Sequence, residues 1–297
     1  VKEPALRDIG VVIPVYNSAS TLPAVVYELS SWFEARGLSF RIVLVDDGSA
    51  DGSGALIDGM ARRDGHITAV RLRENAGQQA ALLCGLRQKA DCRCYVTMDD
   101  DLQHPAPVLE ALYQGIRQGY DLVYAIPRES SRPLWRRLGS LARDMLFDLC
   151  IPKPPGVRIS SYRIMTAALT QKICAEPRSF VYLSASALLY RPRVANIPYR
   201  QPQRPAGRSG YTLGKLWRVY AGIFIHYTAA GRFFRPRSAQ KPLYTVQSVT
   251  ERTECRAHAD DPGRLPVPEE RADRRPPDGV QNHTGGLPGA SARGGAG

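Results

Sequence analysis

Val96-Thr97-Met98-Asp99-Asp100-Asp101-Leu102-Gln103-His104-Pro105 is the stretch around which the rest of the chain is organised. Its apolar beginning reads as a short buried strand, and it ends in three consecutive carboxylates and a proline that stops regular structure. Three like charges at one strand end require a compensating cation. In open α/β sheets ligands collect at the carboxyl ends of strands, so a divalent metal carrying an anionic ligand fits this position. The other reading open at this point is a solvated acidic turn that caps the following helix through Asp101.

Toward the N-terminus, Ile9 to Ile13 is a near-continuous apolar run closed by Pro14, as in a central parallel strand entering a loop. Ser20 is the expected N-cap of a helix reaching about Phe33, with Leu22, Val25, Val26, Leu29 and Trp32 or Phe33 on one face. Phe40 to Val45 reads as a second buried strand ending at Asp46-Asp47-Gly48-Ser49, followed by a polar helix over Ser53 to Arg63 and a strand at Ile67 to Leu72. Asn75-Ala76-Gly77 then turns the chain into a helix carrying Ala80, Ala81, Leu83, Cys84 and Leu86, and Tyr95 to Met98 delivers the carboxylates. Strands alternating with helices in this way predict βαβ units and a parallel sheet covered on both faces. Gly48, Gly52 and Gly54 lack the Gly-x-Gly-x-x-Gly spacing, and no Gly-x-x-x-x-Gly-Lys-Ser/Thr is present. A nicotinamide enzyme and a P-loop phosphohydrolase are both disfavoured.

Toward the C-terminus, Val108 to Gln118 reads as a helix and Tyr120 to Ile126 as a strand. From Arg128 to Leu149 the chain sets Arg128, Arg132, Arg136, Arg137 and Arg143 against Leu134, Leu138, Leu141 and Met145 at helical spacing. That pattern suits a helix lying on an anionic membrane, or an ordinary surface helix with its apolar side on the core. Ile151 to Arg163 reads as a loop, Thr166 to Cys174 as a helix, and Val194 to Tyr199 as a strand. A basic loop from Arg204 to Tyr211 precedes an amphipathic helix over about Thr212 to Tyr227. Beyond Gly231 the hydrophobic periodicity vanishes, and such a segment cannot bury enough apolar surface to offset its ordering entropy.

The 297 residues are 43% hydrophobic, as in a globular protein, and carry a formal charge of +12 that calls for an anionic partner. No interleaved aromatic and basic motif for reading bases accompanies the charge, so nucleic acid is not expected. The six cysteines form one Cys-x-Cys, at Cys92 and Cys94, with no Cys-x-x-Cys or His cluster, which argues against zinc and for reduced thiols. Pro4, Arg7 and Asp8 interrupt any signal-peptide pattern, and Arg218 and His226 break the longest apolar stretch, Leu216 to Ala230.

Four stretches in this order resemble family 2 glycosyltransferases of the GT-A fold. They are Val12-Ile13-Pro14-Val15-Tyr16-Asn17, Val45-Asp46-Asp47-Gly48-Ser49-Ala50-Asp51-Gly52, Asn75-Ala76-Gly77 with Ala80 and Gly85, and Asp99-Asp100-Asp101-Leu102-Gln103. Each is weak alone, and the set at these spacings is specific. Within the family the chain looks most like the polyprenyl-phosphate branch, through Asp101-Leu102-Gln103-His104-Pro105, Gly77-Gln78-Gln79-Ala80-Ala81, the Arg/Trp-rich segment, and Arg204 followed by Gly207 and Ser209. The resemblance covers about residues 9 to 228.

It implies an α/β GT-A domain over residues 1–211, mostly parallel sheet flanked by helices; the sequence pattern adds an amphipathic juxtamembrane helix over 212–230 and a disordered tail over 231–297. It also implies inverting transfer of a sugar from a UDP- or GDP-sugar to a polyprenyl phosphate, with Mg²⁺ or Mn²⁺, at the cytoplasmic face of the cell membrane. Asp99, Asp101 and Gln103 match the family's metal-binding positions, and Asp100 is the variable middle position on the nucleotide-sugar side. Asp46 and Asp47 match residues that contact the base and ribose of the donor, while Pro14, Tyr16, Asn17 and Gly77 shape the same pocket. Arg128, Arg136 and Ser140 map onto positions that bind the lipid phosphate, and Arg204 would neutralise a phosphate from the other side of the cleft. Asp101 and Arg204 are thus the residues expected to act most directly in catalysis. A family 2 transferase with a polysaccharide or soluble acceptor, and a catalytically impaired nucleotide-sugar-binding protein, are the alternatives.

Some residues depart from the family pattern. Ser18 stands where an acid commonly follows Pro-x-Tyr-Asn, the run from Val157 to Arg163 has no acid where many members carry an Asp, and Ser209-Gly210 replaces Ser-Lys. Members of this branch often continue into membrane-spanning helices, whereas here an Arg/Pro/Gly/Ala-rich stretch follows. The expectation is an anchor lost to a frameshift, or a naturally peripheral protein.

Overall fold

A strand buried on both faces is apolar along most of its length, and Ile9 to Val15 and, Arg41 apart, Phe40 to Val45 are so placed in the computed structural model. It describes residues 6–88, 91–128, 151, 153–176, 180–202, 221–228 and 242–252. Strand β1 (Arg7–Val15) lies between β2 (Phe40–Asp46) and β4 (Cys92–Thr97), parallel to both. Strand β3 (Ile67–Leu72) continues the parallel array beyond β2. On the other side, β6 (Arg163–Thr166) inserts antiparallel between β4 and β5 (Leu122–Pro127), and β7 (Val194–Tyr199) pairs parallel with β5. With β8 (Val246–Thr250) the sheet order is β7-β5-β6-β4-β1-β2-β3-β8.

One face is covered by α1 (Leu22–Glu34), α2 (Ser53–Arg63) and α4 (Val108–Arg117). The other is covered by α3 (Gln78–Leu86), α5 (Ala167–Cys174), α6 (Leu183–Leu189) and a helical stretch at 221–227. The face predicted for α1 is the one buried, from Leu22 to Phe33, and each such side chain contributes roughly 1.5–3 kcal/mol. The short α6 is buried from Leu183 to Leu188, with Ser184 and Ser186 among its buried residues.

Four local expectations differ from the structure. The first strand does not stop at Pro14. Pairing with β4 ends at Val12↔Thr97, so the missing proline N–H breaks no ladder bond on that side, and the Val15 carbonyl accepts from Asp47 N–H at 2.9 Å. The N-cap of α1 is Thr21 rather than Ser20, and its hydroxyl donates to the Asp100 carbonyl at 2.7 Å. The loop expected through Arg163 gives way to strand β6, because β4 and β5 need a partner between them and only four residues supply it.

The fourth concerns the segment from 231 onward, expected to be disordered. Residues 242–252 lie within it and carry β8, antiparallel to β3. The buried Arg41 explains the pairing: its guanidinium is 3.0 Å from Asp91 and 3.5 Å from Glu251, just after β8. Thr250 adds a 2.7 Å hydrogen bond to Asp58. Residues 242–252 therefore pack as part of the domain. Among the described residues no helix is long and apolar enough to cross a membrane.

Asp91 also pairs with Arg7. Burial alone would raise its carboxyl, but the Arg41 and Arg7 guanidiniums outweigh burial and hold it below the ordinary 3.8. A depressed native pKa contributes stability above the unfolded value and loses it as pH falls through the native one. Asp91→Asn is therefore expected to lower the urea midpoint at pH 7 and to flatten its decline below pH 4; urea melts from pH 3 to 7 check this.

Candidate functional site

The carboxyl ends of β1, β2 and β4 bring three of the sequence motifs to one end of the sheet, and the turn before α3 brings the fourth. After β1 the chain passes through Tyr16, half exposed, and Asn17, which takes the left-handed conformation at φ 54° that asparagine tolerates. Its side-chain oxygen accepts from Ala50 N–H at 2.9 Å, and Ser18 N–H donates to Ser53 Oγ at 3.0 Å. The loop after β1 is thus knitted to the loop after β2. Pro14 is buried in the strand beneath.

Asp46 and Asp47 close β2 and are both buried. Asp46 accepts from Ser49 N–H at 3.0 Å and has the Arg71 guanidinium 3.6 Å away. Asp47 is bound by main chain: Oδ1 accepts from Ala76 N–H at 2.7 Å and Oδ2 from Gly77 N–H at 3.0 Å. Burial raises its pKa, against the lowering effect of those two amides. The direct act of Asp47 in the structure is therefore to hold the 75–77 turn. Gly77 sits there at φ 91°, which an L side chain rarely adopts, and a Cβ on Gly48 would meet Asn75 N at 3.0 Å.

The acidic stretch follows β4. Asp99 Oδ1 accepts from Gln78 Nε2 at 2.6 Å, and Oδ2 accepts from Ser161 Oγ at 2.9 Å. Asp100 Oδ2 accepts from Tyr16 N–H at 3.4 Å; burial, with the Asp99 charge adding to it, pushes its carboxyl up to about 6. Asp101 Oδ1 accepts from Gln103 N–H at 3.1 Å, which closes a tight turn with Leu102 at φ 60°. A left-handed leucine at this point is backbone strain of about 1–3 kcal/mol, held by the surrounding contacts.

Buried His104 anchors the turn from behind. Its Nδ1 accepts from Asp99 N–H at 2.9 Å, so its proton sits on Nε2, 3.8 Å from the Asp99 carboxylate. Its ring stacks on Tyr162 at 4.7 Å, and burial lowers its pKa, which favours the neutral form. Tyr162 hydroxyl donates to Pro105 O at 2.9 Å, and Tyr199 hydroxyl to Gln103 O at 3.3 Å.

The solvated helix-capping turn weighed for Asp101 is not what forms, since the carboxylate bonds inside its own turn and α4 begins only at Val108. Asp99, Asp101 and Gln103 are the predicted metal ligands. Among the described residues no group of three or more His, Cys, Asp or Glu makes a protein-only metal cage. An all-oxygen set with two carboxylates fits the other mode of hard cations, in which substrate phosphates and water complete the shell.

Gln78, Ser161, His104 and Tyr162 are site residues to which motif reading gave no role. Arg128 is exposed at the end of β5, where its N–H donates to Tyr199 O at 2.7 Å. Arg136, Ser140 and Arg204 lie outside the described residues, as do all but the first residue of the basic helix expected over 128–149 and the basic loop expected over 204–211.

Residues 10–173 match the family described as Glycosyl transferase family 2. The undecaprenyl-phosphate 4-deoxy-4-formamido-L-arabinose transferase of Pseudomonas aeruginosa (strain LESB58) is 34% identical over 215 residues, covering 70% of this chain and 61% of that protein. Its counterpart from Edwardsiella ictaluri (strain 93-146) is 32% identical over 219 residues, covering 71% and 65%. This chain therefore spans less than two thirds of the length of these relatives. Glucosyl-3-phosphoglycerate synthase from Mycobacterium tuberculosis, crystallised with Mn²⁺, UDP-glucose and phosphoglyceric acid, superposes with a TM-score of 0.51 at 23% identity, over 73% of this chain and 78% of that one. That likeness shows the fold, the GT-A arrangement expected from the four motifs.

Proposed function

The chain belongs to glycosyl transferase family 2, and from that premise we propose that it transfers a sugar from a nucleoside-diphosphate sugar to a polyprenyl phosphate of the undecaprenyl type. One observation carries this reading. The four motifs are joined by hydrogen bonds, Asp47 to Ala76 and Gly77, Gln78 to Asp99, and Asp100 to Tyr16, into a single wall at the carboxyl end of the sheet. The relatives named for an undecaprenyl-phosphate transferase support the choice of acceptor.

In this reading Asp99 and Asp101, with Gln103, hold Mg²⁺ or Mn²⁺, and such a cation supplies Lewis-acid stabilisation of the diphosphate leaving group. Asp46, Asp47, Pro14, Tyr16, Asn17, Gly77 and Asp100 form the pocket for a UDP- or GDP-sugar, Asp47 by fixing the turn that carries Gly77. Arg128, Arg136 and Ser140 bind the acceptor phosphate, and Arg204 neutralises phosphate charge across the cleft. A phosphate monoester has its second pKa near 6, so its oxygen is largely ionised at neutral pH and needs no strong general base. That oxygen bonds to the anomeric carbon as the bond to the diphosphate oxygen breaks; the nucleoside diphosphate leaves and the configuration inverts. The basic amphipathic segment of 128–149 places the acceptor side on the anionic cytoplasmic face of the membrane.

The test supplies the full chain with undecaprenyl phosphate, Mg²⁺ or Mn²⁺, and a panel of labelled UDP- and GDP-sugars. Label is expected in the butanol-extractable lipid fraction with one donor, and chelation by EDTA abolishes it. Label in a water-soluble glycan alone, or metal-dependent nucleotide binding without transfer, would overturn the acceptor or the activity.

A further inference from the structure

Asp99 is gripped by two neutral donors from two separate parts of the chain. Gln78 Nε2 reaches Oδ1 at 2.6 Å from the first residue of α3, and Ser161 Oγ reaches Oδ2 at 2.9 Å from the loop entering β6. One donor would leave the carboxylate free to rotate about its own bond. Two donors on opposite oxygens fix its plane and leave lone pairs on both oxygens for a cation.

Ser161 is not a casual neighbour. Its carbonyl accepts from Thr97 Oγ1 at 2.8 Å, and the same Thr97 oxygen accepts from Arg163 Nε at 3.1 Å. Arg163 is 2% exposed, and its guanidinium also donates to Ser184 on α6. Thr97 is the last residue of β4, two positions before Asp99, so the serine hydroxyl and the carboxylate it touches are fixed to the same strand end. Gln78 is fixed in turn by the Gly77 turn that Asp47 holds, and Gln79 beside it accepts from Leu183 N–H at 3.0 Å. A lysine or arginine in either place would neutralise Asp99 and compete with a metal; an amide and a hydroxyl orient it without doing so.

We propose that Ser161, together with Gln78, is a positioning residue that presents Asp99 to the divalent cation and so sets the metal affinity of the site. The inference rests on the metal assignment made above. Groups that orient a metal-binding carboxylate typically change affinity by about 10–100-fold when removed.

The test measures Mn²⁺ binding by the full chain in the presence of UDP or GDP, from the electron paramagnetic resonance signal of free Mn²⁺, alongside transfer kinetics as a function of Mn²⁺. Ser161→Ala is expected to weaken Mn²⁺ binding about 10-fold and to raise the apparent KM for metal by the same factor, with kcat at saturating Mn²⁺ within about twofold of the parent. Ser161→Thr keeps the hydroxyl and is expected to restore most of the affinity. Gln78→Met removes the opposite donor and gives an independent loss of the same kind, should Ser161→Ala fail to fold. Unchanged Mn²⁺ affinity in both the serine-to-alanine and the glutamine variants overturns the inference, as does a fall in kcat that saturating metal does not restore. If the parent chain binds no Mn²⁺ with either nucleotide, the metal assignment itself falls and takes the inference with it.

Discussion

Asp101→Asn is expected to lower sugar transfer at least ~100-fold while moving the melting temperature by no more than about 2 °C. The substitution separates charge from structure. Asparagine keeps an Oδ1 acceptor for Gln103 N–H, now at 3.1 Å, so the turn that forces Leu102 to φ 60° retains its closing bond. What disappears is one of the negative charges that hold a cation against a developing diphosphate, and loss of a single electrostatic stabiliser commonly costs two to three orders of magnitude in rate. Alanine at the same position would remove the turn bond as well and confuse the two effects. Initial rates at saturating donor and acceptor, beside a thermal melt, check the prediction, and retention of a tenth or more of the parent rate would sink the metal role of Asp101.

Much of this architecture is legible in the sequence because parallel strands buried on both faces write themselves as apolar runs. Ile67 to Leu72 is found as read, the half-buried edge strand Val194 to Tyr199 is found through its own short apolar pattern, and the α2 boundaries at Ser53 and Arg63 coincide. The illegible strands are the short ones. Strand β6 is Arg-Ile-Met-Thr with its arginine buried, and β8 is Val-Gln-Ser-Val-Thr, so neither offers enough residues for a period to show. Both exist because a neighbouring strand presents an unpaired edge, which is a property of the assembled sheet rather than of the local sequence.

The site divides in the same way. Its four motifs are contiguous in the chain, and each could be found alone. The donors that hold Asp99 come from 21 and 62 positions away, so no local pattern announces them. His104 was visible as part of a motif, yet its task of accepting from Asp99 N–H requires the fold to bring Tyr162 beneath its ring. Asp47 changes most in meaning. Read as a contact to the donor, it holds in the structure the turn from which Gln78 reaches Asp99.

For that reason Asp47→Ala is expected to be the most destabilising change in the site, by about 3 kcal/mol, which for a domain of this size lowers the melting temperature by roughly 6–12 °C. The side chain is 4% exposed, and its oxygens are the acceptors for Ala76 and Gly77 N–H. Alanine leaves both part-buried donors without their acceptor, and each such group costs on the order of 1–3 kcal/mol. Burial raises the Asp47 pKa, so ionisation itself works against the native state as pH rises through the native value; the favourable part is the pair of amide bonds. Asp47→Asn separates these contributions, since it removes the charge, keeps one acceptor and turns an N–H₂ toward Gly77 N–H. It is expected to lose about half as much stability as alanine. The loosened turn also carries Gln78 away from Asp99, so both variants are expected to bind Mn²⁺ with nucleotide more weakly than the parent. Thermal melts of the two variants and the parent decide the matter: a fall of less than about 2 °C for Asp47→Ala would mean that the 75–77 turn is held by something other than this carboxylate.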